Sequence, residues 1–169
     1  MKPYVVGIDI GGTNTVFGIV DARGNVIASS SIKTAKHSDV NDYINELSEA
    51  LNNLLESNDA ADKINGIGVG APNANFFTGC VENPANLPWN GEIPLAQMLK
   101  DRFNVPVAIT NDANAAAIGE MTYGVARGMK DFIMITLGTG VGSGIVANGQ
   151  LIYGHDGFAG ELGHIIVKR

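Results

Sequence analysis

Two glycine-rich turns, Gly11-Gly12 and the run from Gly138 to Gly144, each interrupt Val- and Ile-rich sequence, and each is followed by two further short apolar runs. Chain punctuated this way cannot run on as helix, because glycine is a poor helix former and β-branched residues favour the pleated strand. The first set, residues 4–10, 15–20 and 26–31, reads as three consecutive antiparallel strands, with the second turn made by residues 21–25. The later set, residues 131–137, 143–147 and 150–153, repeats the pattern, and Asn148-Gly149 signals a two-residue hairpin. Only two copies are visible. They therefore suggest two related half-molecules rather than a solenoid, the second cut short at Arg169.

Between the triplets the period changes. Val40, Ile44, Leu47, Leu51, Leu54 and Leu55 recur at spacings of three and four, which puts them on one stripe of a helix with Ser38 or Asp39 as N-cap. Residues 64–70 read as a buried strand, 95–103 as a helix, 105–110 as a strand and 113–123 as an Ala-rich helix. Residues 71–91 are rich in Asn, Pro and Gly and show no period, and an irregular segment that long is usually functional or disordered. Strand, helix, strand, helix is the α/β pattern.

A chain of 169 residues with 45% hydrophobic and 17% charged residues is globular and can hold one sizeable core, or one domain and part of a second. The net charge of -6 is spread without a basic block, which argues against a nucleic-acid surface. ATP stays compatible, since backbone amides and a metal ion can supply the positive field. The single cysteine, Cys80, excludes an internal disulfide and a thiolate metal site built from this chain alone, and it fits a reducing cytoplasm. The N-terminus lacks a signal-peptide pattern, and no run approaches the roughly 20 apolar residues of a membrane span. A soluble, cytoplasmic protein is expected.

Four constellations can carry chemistry. In Asp9-Ile10-Gly11-Gly12-Thr13-Asn14-Thr15 a carboxylate at a strand end precedes a tight turn whose amides can converge on a phosphate, with Mg²⁺ between phosphate and Asp9; the plain alternative is a hairpin turn with a solvated Asp. Residues 137–144 have the same character. They match G-x-G-x-x-A loosely through Gly142, Gly144 and Ala147, but a strand follows where the dinucleotide motif needs a helix, and no P-loop motif exists. Asn111-Asp112-Ala113-Asn114 lies where a strand meets a helix start, so one residue can cap while the other, ionised, accepts a proton from a sugar hydroxyl. Gly160-Glu161-Leu162-Gly163-His164 puts a carboxylate and an imidazole on one face of a helical turn, suited to hydroxyl groups. His37 and His155 have no evident chemical neighbourhood.

In this order, and together with Gly70-Ala71-Pro72 and Asn86-Leu87-Pro88-Trp89, these motifs resemble the ROK family of bacterial sugar kinases and repressors over essentially the whole chain, nearest to its glucokinase-type members and corresponding to their N-terminal portion. The resemblance implies an actin-like, hexokinase-type ATPase fold (ribonuclease H-like) in two lobes. Residues 1–111 would form the first lobe, and residues 112–169 the start of an incomplete second. It implies ATP-dependent phosphorylation of a hexose, glucose above all, with Asp112 as general base. Asn86, Asn111, Glu161 and His164 would hold other sugar hydroxyls, with Asn83 a weaker candidate. Asp9, Gly11, Gly12, Thr13, Asn14, Gly138, Thr139 and Gly140 would serve the phosphates, with Asp9 acting on Mg²⁺.

Many family members carry a Cys-rich zinc loop soon after the motif matching Glu161 to His164. This chain ends before it, so structural zinc is expected only in a full-length protein, where His164 would be a ligand if a downstream Cys cluster exists. A homodimer is expected at full length, and the 169-residue chain alone is expected to be inactive. The alternative within the family is a sugar-responsive repressor, which should carry a helix-turn-helix ahead of the first strand; here the strand starts at Tyr4. Which hexose is used depends on one or two hydroxyl contacts.

Overall fold

The computed structural model describes residues 2–138 and 140–166. Three strands, β1 (Tyr4–Ile10), β2 (Asn14–Asp21) and β3 (Val26–Lys33), form the expected antiparallel meander. Helix α1 (Val40–Ser57) then carries the chain back to β4 (Ile64–Gly70), which lies parallel to β1. After a small hairpin of β5 (Val81–Glu82) and β6 (Glu92–Ile93), helix α2 (Leu95–Phe103) leads to β7 (Val107–Thr110), parallel to β4. The sheet order is β3-β2-β1-β4-β7.

Alternation along these strands sorts the residues by face. Val6, Ile8, Ile10, Phe17, Ile19, Ile67, Val69 and Ile109 point into the core, where they meet the α1 stripe. Of that stripe Ile44, Leu47, Leu51 and Leu55 are buried, and Val40 and Leu54 pack half-buried at its margins. Burying one such Leu contributes about 2 kcal/mol. Asp39 is the cap, its carboxylate accepting from the backbone N–H groups of Asn41 and Asp42, and these bonds lower its pKa. Among the described residues no helix is long and apolar enough to cross a membrane.

The opposite face of the sheet carries Gly7, Gly18, Gly68, Gly70 and Ala108, and lies beneath an open groove of about 640 Å³ with Asp9 among its lining residues. Helix α3 (Asp112–Tyr123) crosses this side and also contacts a second sheet of β8 (Phe132–Leu137), β9 (Val141–Ala147) and β10 (Gln150–Leu151). Its alanines set the separation. A Cβ placed on Gly144 would lie 2.7 Å from the Ala117 Cβ, one on Gly142 3.1 Å from that of Ala113, and one on Gly70 3.3 Å from that of Ala115. The outer face of β8 presents Ile133, Ile135 and Leu137 to solvent.

Several boundaries differ from the sequence expectation for identifiable reasons. β7 begins at Val107 rather than Val105 because Pro106 has no N–H to donate; its carbonyl instead accepts from Ile67. The stretch 71–91 is not wholly irregular, since Val81 and Ile93 pair and drop into the core. β9 starts two residues early, its Val141 pairing with Leu137 to leave a short turn. β10 stops at Leu151, although the Ile152 N–H still bonds to the Ile145 carbonyl before Tyr153 turns away to stack on Phe76. Asn148 and Gly149, with φ of 54° and 73°, make the hairpin turn as expected.

Two glycines should respond in opposite directions. Gly144→Ala must push α3 off β9 and should destabilise the chain by about 1–3 kcal/mol. Gly68→Ala meets nothing within 4 Å and should stabilise it by about 0.5 kcal/mol through the unfolded state. Denaturant midpoints of the two variants check both signs.

Candidate functional site

Asp9, Gly70 and Thr110 stand side by side at the ends of β1, β4 and β7, because the two parallel pairings place Asp9 opposite Gly70 and Gly70 opposite Thr110. One residue beyond Thr110, the Asn111 side-chain oxygen accepts from the Ala113 N–H at 2.8 Å and caps α3. The Asp112 carboxylate shares that donor at 2.8 Å and is exposed. Sequence reasoning left open which of the two caps; the cap is Asn111.

Gly70 lies close to both Asp9 and Asp112. A Cβ there would lie 3.6 Å from the Asp112 Cα and 4.0 Å from Asp9 Oδ1. Asp9 opens onto the groove yet is crowded by the sheet around it. That partial burial, and then the negative charge of Asp112, raise its pKa above the ordinary carboxylate value.

The first glycine-rich turn is closed by the Gly11 N–H bonding to the Asn14 carbonyl at 2.9 Å. Neither Gly11 nor Gly12 adopts positive φ, so these glycines are not needed for left-handed backbone. Gly12 is instead needed for close approach: a Cβ there would run into the backbone carbonyl of Asn86. The loop of Asn86 thus rests directly on the turn, with Thr13 and Asn14 exposed beside it.

That loop is sorted by burial. Pro84, Leu87 and Trp89 face inward and leave Asn83 and Asn86 exposed. The Trp89 indole N–H donates to the His37 carbonyl at 3.0 Å and its ring lies 4.5 Å from that of Tyr43. The Tyr43 hydroxyl and that of Thr34 each lie 2.8 Å from the Thr15 hydroxyl, just past the turn, and burial pushes the Tyr43 pKa up. His37 Nε2 lies 2.8 Å from a Glu46 carboxylate oxygen. Sequence reasoning gave no role to Tyr43, His37 or Thr34. One signal was available, the single Trp of the chain in a loop rich in Asn and Pro.

In the second glycine-rich turn the Gly138 N–H bonds to the Gly140 carbonyl at 3.0 Å, and both glycines lie open. Thr139 lies outside the described residues. Glu161 precedes and His164 ends a short 3₁₀ turn, with His164 Nε2 3.7 Å from Glu161 Oε2 and both exposed. Their segment is held on β9: Ser143 Oγ donates to the Gly160 carbonyl, a Cβ on Gly160 would lie 2.8 Å from the Ser143 carbonyl, and one on Gly163 would strike the Val141 carbonyl.

The start of β9 therefore has the 160–164 segment against Val141 and Ser143 and the start of α3 against Gly142. The fold brings together Asp9 with Asp112, Gly12 with Asn86, and Glu161 with His164. His155 is exposed beside Asp156. Among the described residues no three His, Cys, Asp or Glu side chains gather as a metal cluster.

A family model for the ROK family matches residues 5–169. A glucokinase from Halalkalibacterium halodurans is 38% identical over 97% of this chain and 50% of its own length. A xylose repressor from Caldicellulosiruptor bescii is 39% identical over 61% of this chain and 26% of its own length. The crystal structure of a ROK family glucokinase from Streptomyces griseus, in complex with glucose and AMPPNP, superposes with a TM-score of 0.84 at 33% identity, covering 98% of this chain and 51% of that one. The chain spans about half the length of the curated relatives it matches. The fold is of the actin-like, hexokinase type expected from the motifs. With that likeness running along nearly all of its residues, the chain belongs to the ROK family.

Proposed function

We propose that this chain is part of a sugar kinase that transfers the terminal phosphoryl group of ATP to a hexose, glucose in the first place, with Asp112 as general base. The observation that carries the reading is Asp112 standing beside Asp9 at the joined strand ends, with Asn86 and the first glycine-rich turn in direct contact. Relatives named glucokinase, and one solved with glucose and AMPPNP, support the choice of substrates.

In this reading residues 1–111 form the first lobe and residues 112–169 begin the second, with the sugar between them. Asn86, Asn111, Glu161 and His164 hold hydroxyl groups, Asn83 more weakly. The two turns, through Gly11, Gly12, Thr13 and Asn14 and through Gly138, Thr139 and Gly140, receive the phosphates. Phosphoryl transfer to an alcohol needs alignment, charge neutralisation and a proton acceptor, and no covalent intermediate. Asp112 suits the last role because its carboxylate is exposed and stands in the first turn of α3, beside the joined strand ends. Mg²⁺ fits the two neighbouring carboxylates, since a cation at Asp9 would offset the repulsion between them; when bound it would supply neutralisation of phosphate charge.

The full-length kinase is assigned to the cytoplasm as a homodimer, with zinc at His164 only if a downstream Cys cluster exists. A second reading, a sugar-responsive regulator, is favoured by the likeness to the xylose repressor. Sequence-specific retention of DNA by the full-length protein, without hexose-dependent ATP turnover, would select it.

Asp112→Asn in the full-length protein should lower kcat by about 10²–10⁴-fold while the KM for ATP stays near wild type. Undiminished hexose-dependent turnover in that variant would sink the mechanism. Asp9 gives a pH signature in the chain itself. Its raised pKa means that the folded state holds this proton more tightly than the unfolded state, so stability is present below the ordinary value of 3.8 and is lost as pH rises through the folded value. Asp9→Asn should therefore gain stability over wild type towards neutral pH and lose that advantage in acid, as read by denaturant midpoints across the pH range.

A further inference from the structure

We propose that Asn75 is a positioning residue that clasps the segment carrying Glu161 and His164 onto the loop leading to Asn86, and so sets the gap across which a hexose is gripped. The proposal rests on the kinase reading above. Its geometry does not.

The Asn75 side chain is only 4% exposed, and both ends of its amide are engaged. Oδ1 accepts from the Phe77 N–H at 2.9 Å, and Nδ2 donates to the Asp156 carbonyl at 2.9 Å, across 81 positions of sequence. Gly157 is buried against the same amide in left-handed backbone, φ 87°, and a Cβ there would lie 2.5 Å from Asn75 Oδ1. Next to this clasp Phe76 stacks on Tyr153, centroids 4.5 Å apart and planes 15° from parallel.

Each side of the clasp leads to a candidate hydroxyl-holding group. The Asn75 N–H bonds to the Cys80 carbonyl and its own carbonyl accepts from Gly79, which closes the turn that feeds β5 and then the Asn83–Asn86 loop. That loop ends on Gly12. On the other side, Gly157 stands four residues before Glu161, a reach of at most about 14 Å. The Ala159 N–H bonds back to the Tyr153 carbonyl, and Gly160 and Gly163 then seat the segment on β9. Glu161 and His164 are thus tied on one side to β9, beside α3, and on the other to the loop after β4. Moving the second tie changes the distance from Glu161 and His164 to Asn86 while leaving both glycine-rich turns in place.

The test uses the full-length kinase, the chain extended to the length of its relatives. Asn75→Asp keeps the acceptor for Phe77 but replaces the donor with a carboxylate facing the Asp156 carbonyl, and Gly157→Ala disturbs the same contact from the other side. Both should raise the KM for hexose by about tenfold or more and leave the KM for ATP unchanged. A role confined to shaping the local loop predicts Asn75→Asp at wild-type KM, and that result overturns the proposal. So does a fall in melting temperature with both KM values unchanged, or an equal rise in the two. If one variant fails to fold, the other decides by the same criterion. Wild-type protein without hexose-dependent ATP turnover overturns the kinase reading together with this one. Turnover that Asp112→Asn abolishes, with an unmoved hexose KM in the clasp variants, overturns the clasp alone.

Discussion

The first turns of α3 lie between two sheets, with alanine methyl groups at the closest approach to each. Ala113 and Ala117 face Gly142 and Gly144 on one side, and Ala115 faces Gly70 on the other. Close packing at this density has little slack, because side chains of this size have no rotamers through which to yield. The helix start is therefore placed by backbone. Asn111 and Asp112 inherit that placement, as does the spacing between the five-stranded sheet that presents Asp9 and the three-stranded sheet whose first turn is Gly138–Gly140.

Stability and site geometry are at odds in this region. Two carboxylates are brought near one another at the joined ends of β1, β4 and β7, and Asp9, though exposed, bears both a partial loss of hydration and the repulsion from Asp112. The glycines of the sheet face contribute no packing of their own, and the groove above them stays open. The opposite face, against α1 and α2, holds the large buried side chains. One face of the sheet supplies the core, and the other supplies the edge on which the carboxylates stand.

Much of this is legible in the sequence alone. The α1 stripe, the meander and the Asn148-Gly149 turn were readable because each is a local pattern in which propensity and burial agree. The motif residues were readable as types: a carboxylate after a strand, an Asn-Asp pair at a helix start, and Glu and His one turn apart. The partners were not. Gly12 resembles any turn glycine until Asn86, 74 positions later, is set against it, and Asn75 sits in a stretch of Asn and Pro that carries no period. Tyr43 reads as one more member of an apolar helix face, and its hydroxyl gains a meaning only when Thr15 and Thr34 arrive from other elements. Long-range pairing of single polar atoms leaves no periodic trace, which is why those contacts had to be seen.

Gly12 makes its nearest approach to Asn86 at the main-chain carbonyl of that residue. A loop seated in that way keeps its depth whatever side chain it bears at that place, so the position is free to vary in chemistry without altering the gauge of the cleft. Replacement of the glycine has no such freedom. The pair thus separates two things that a lineage of related proteins could tune independently: the taste of the loop, carried by an exposed side chain, and its distance from the first turn, carried by the absence of one.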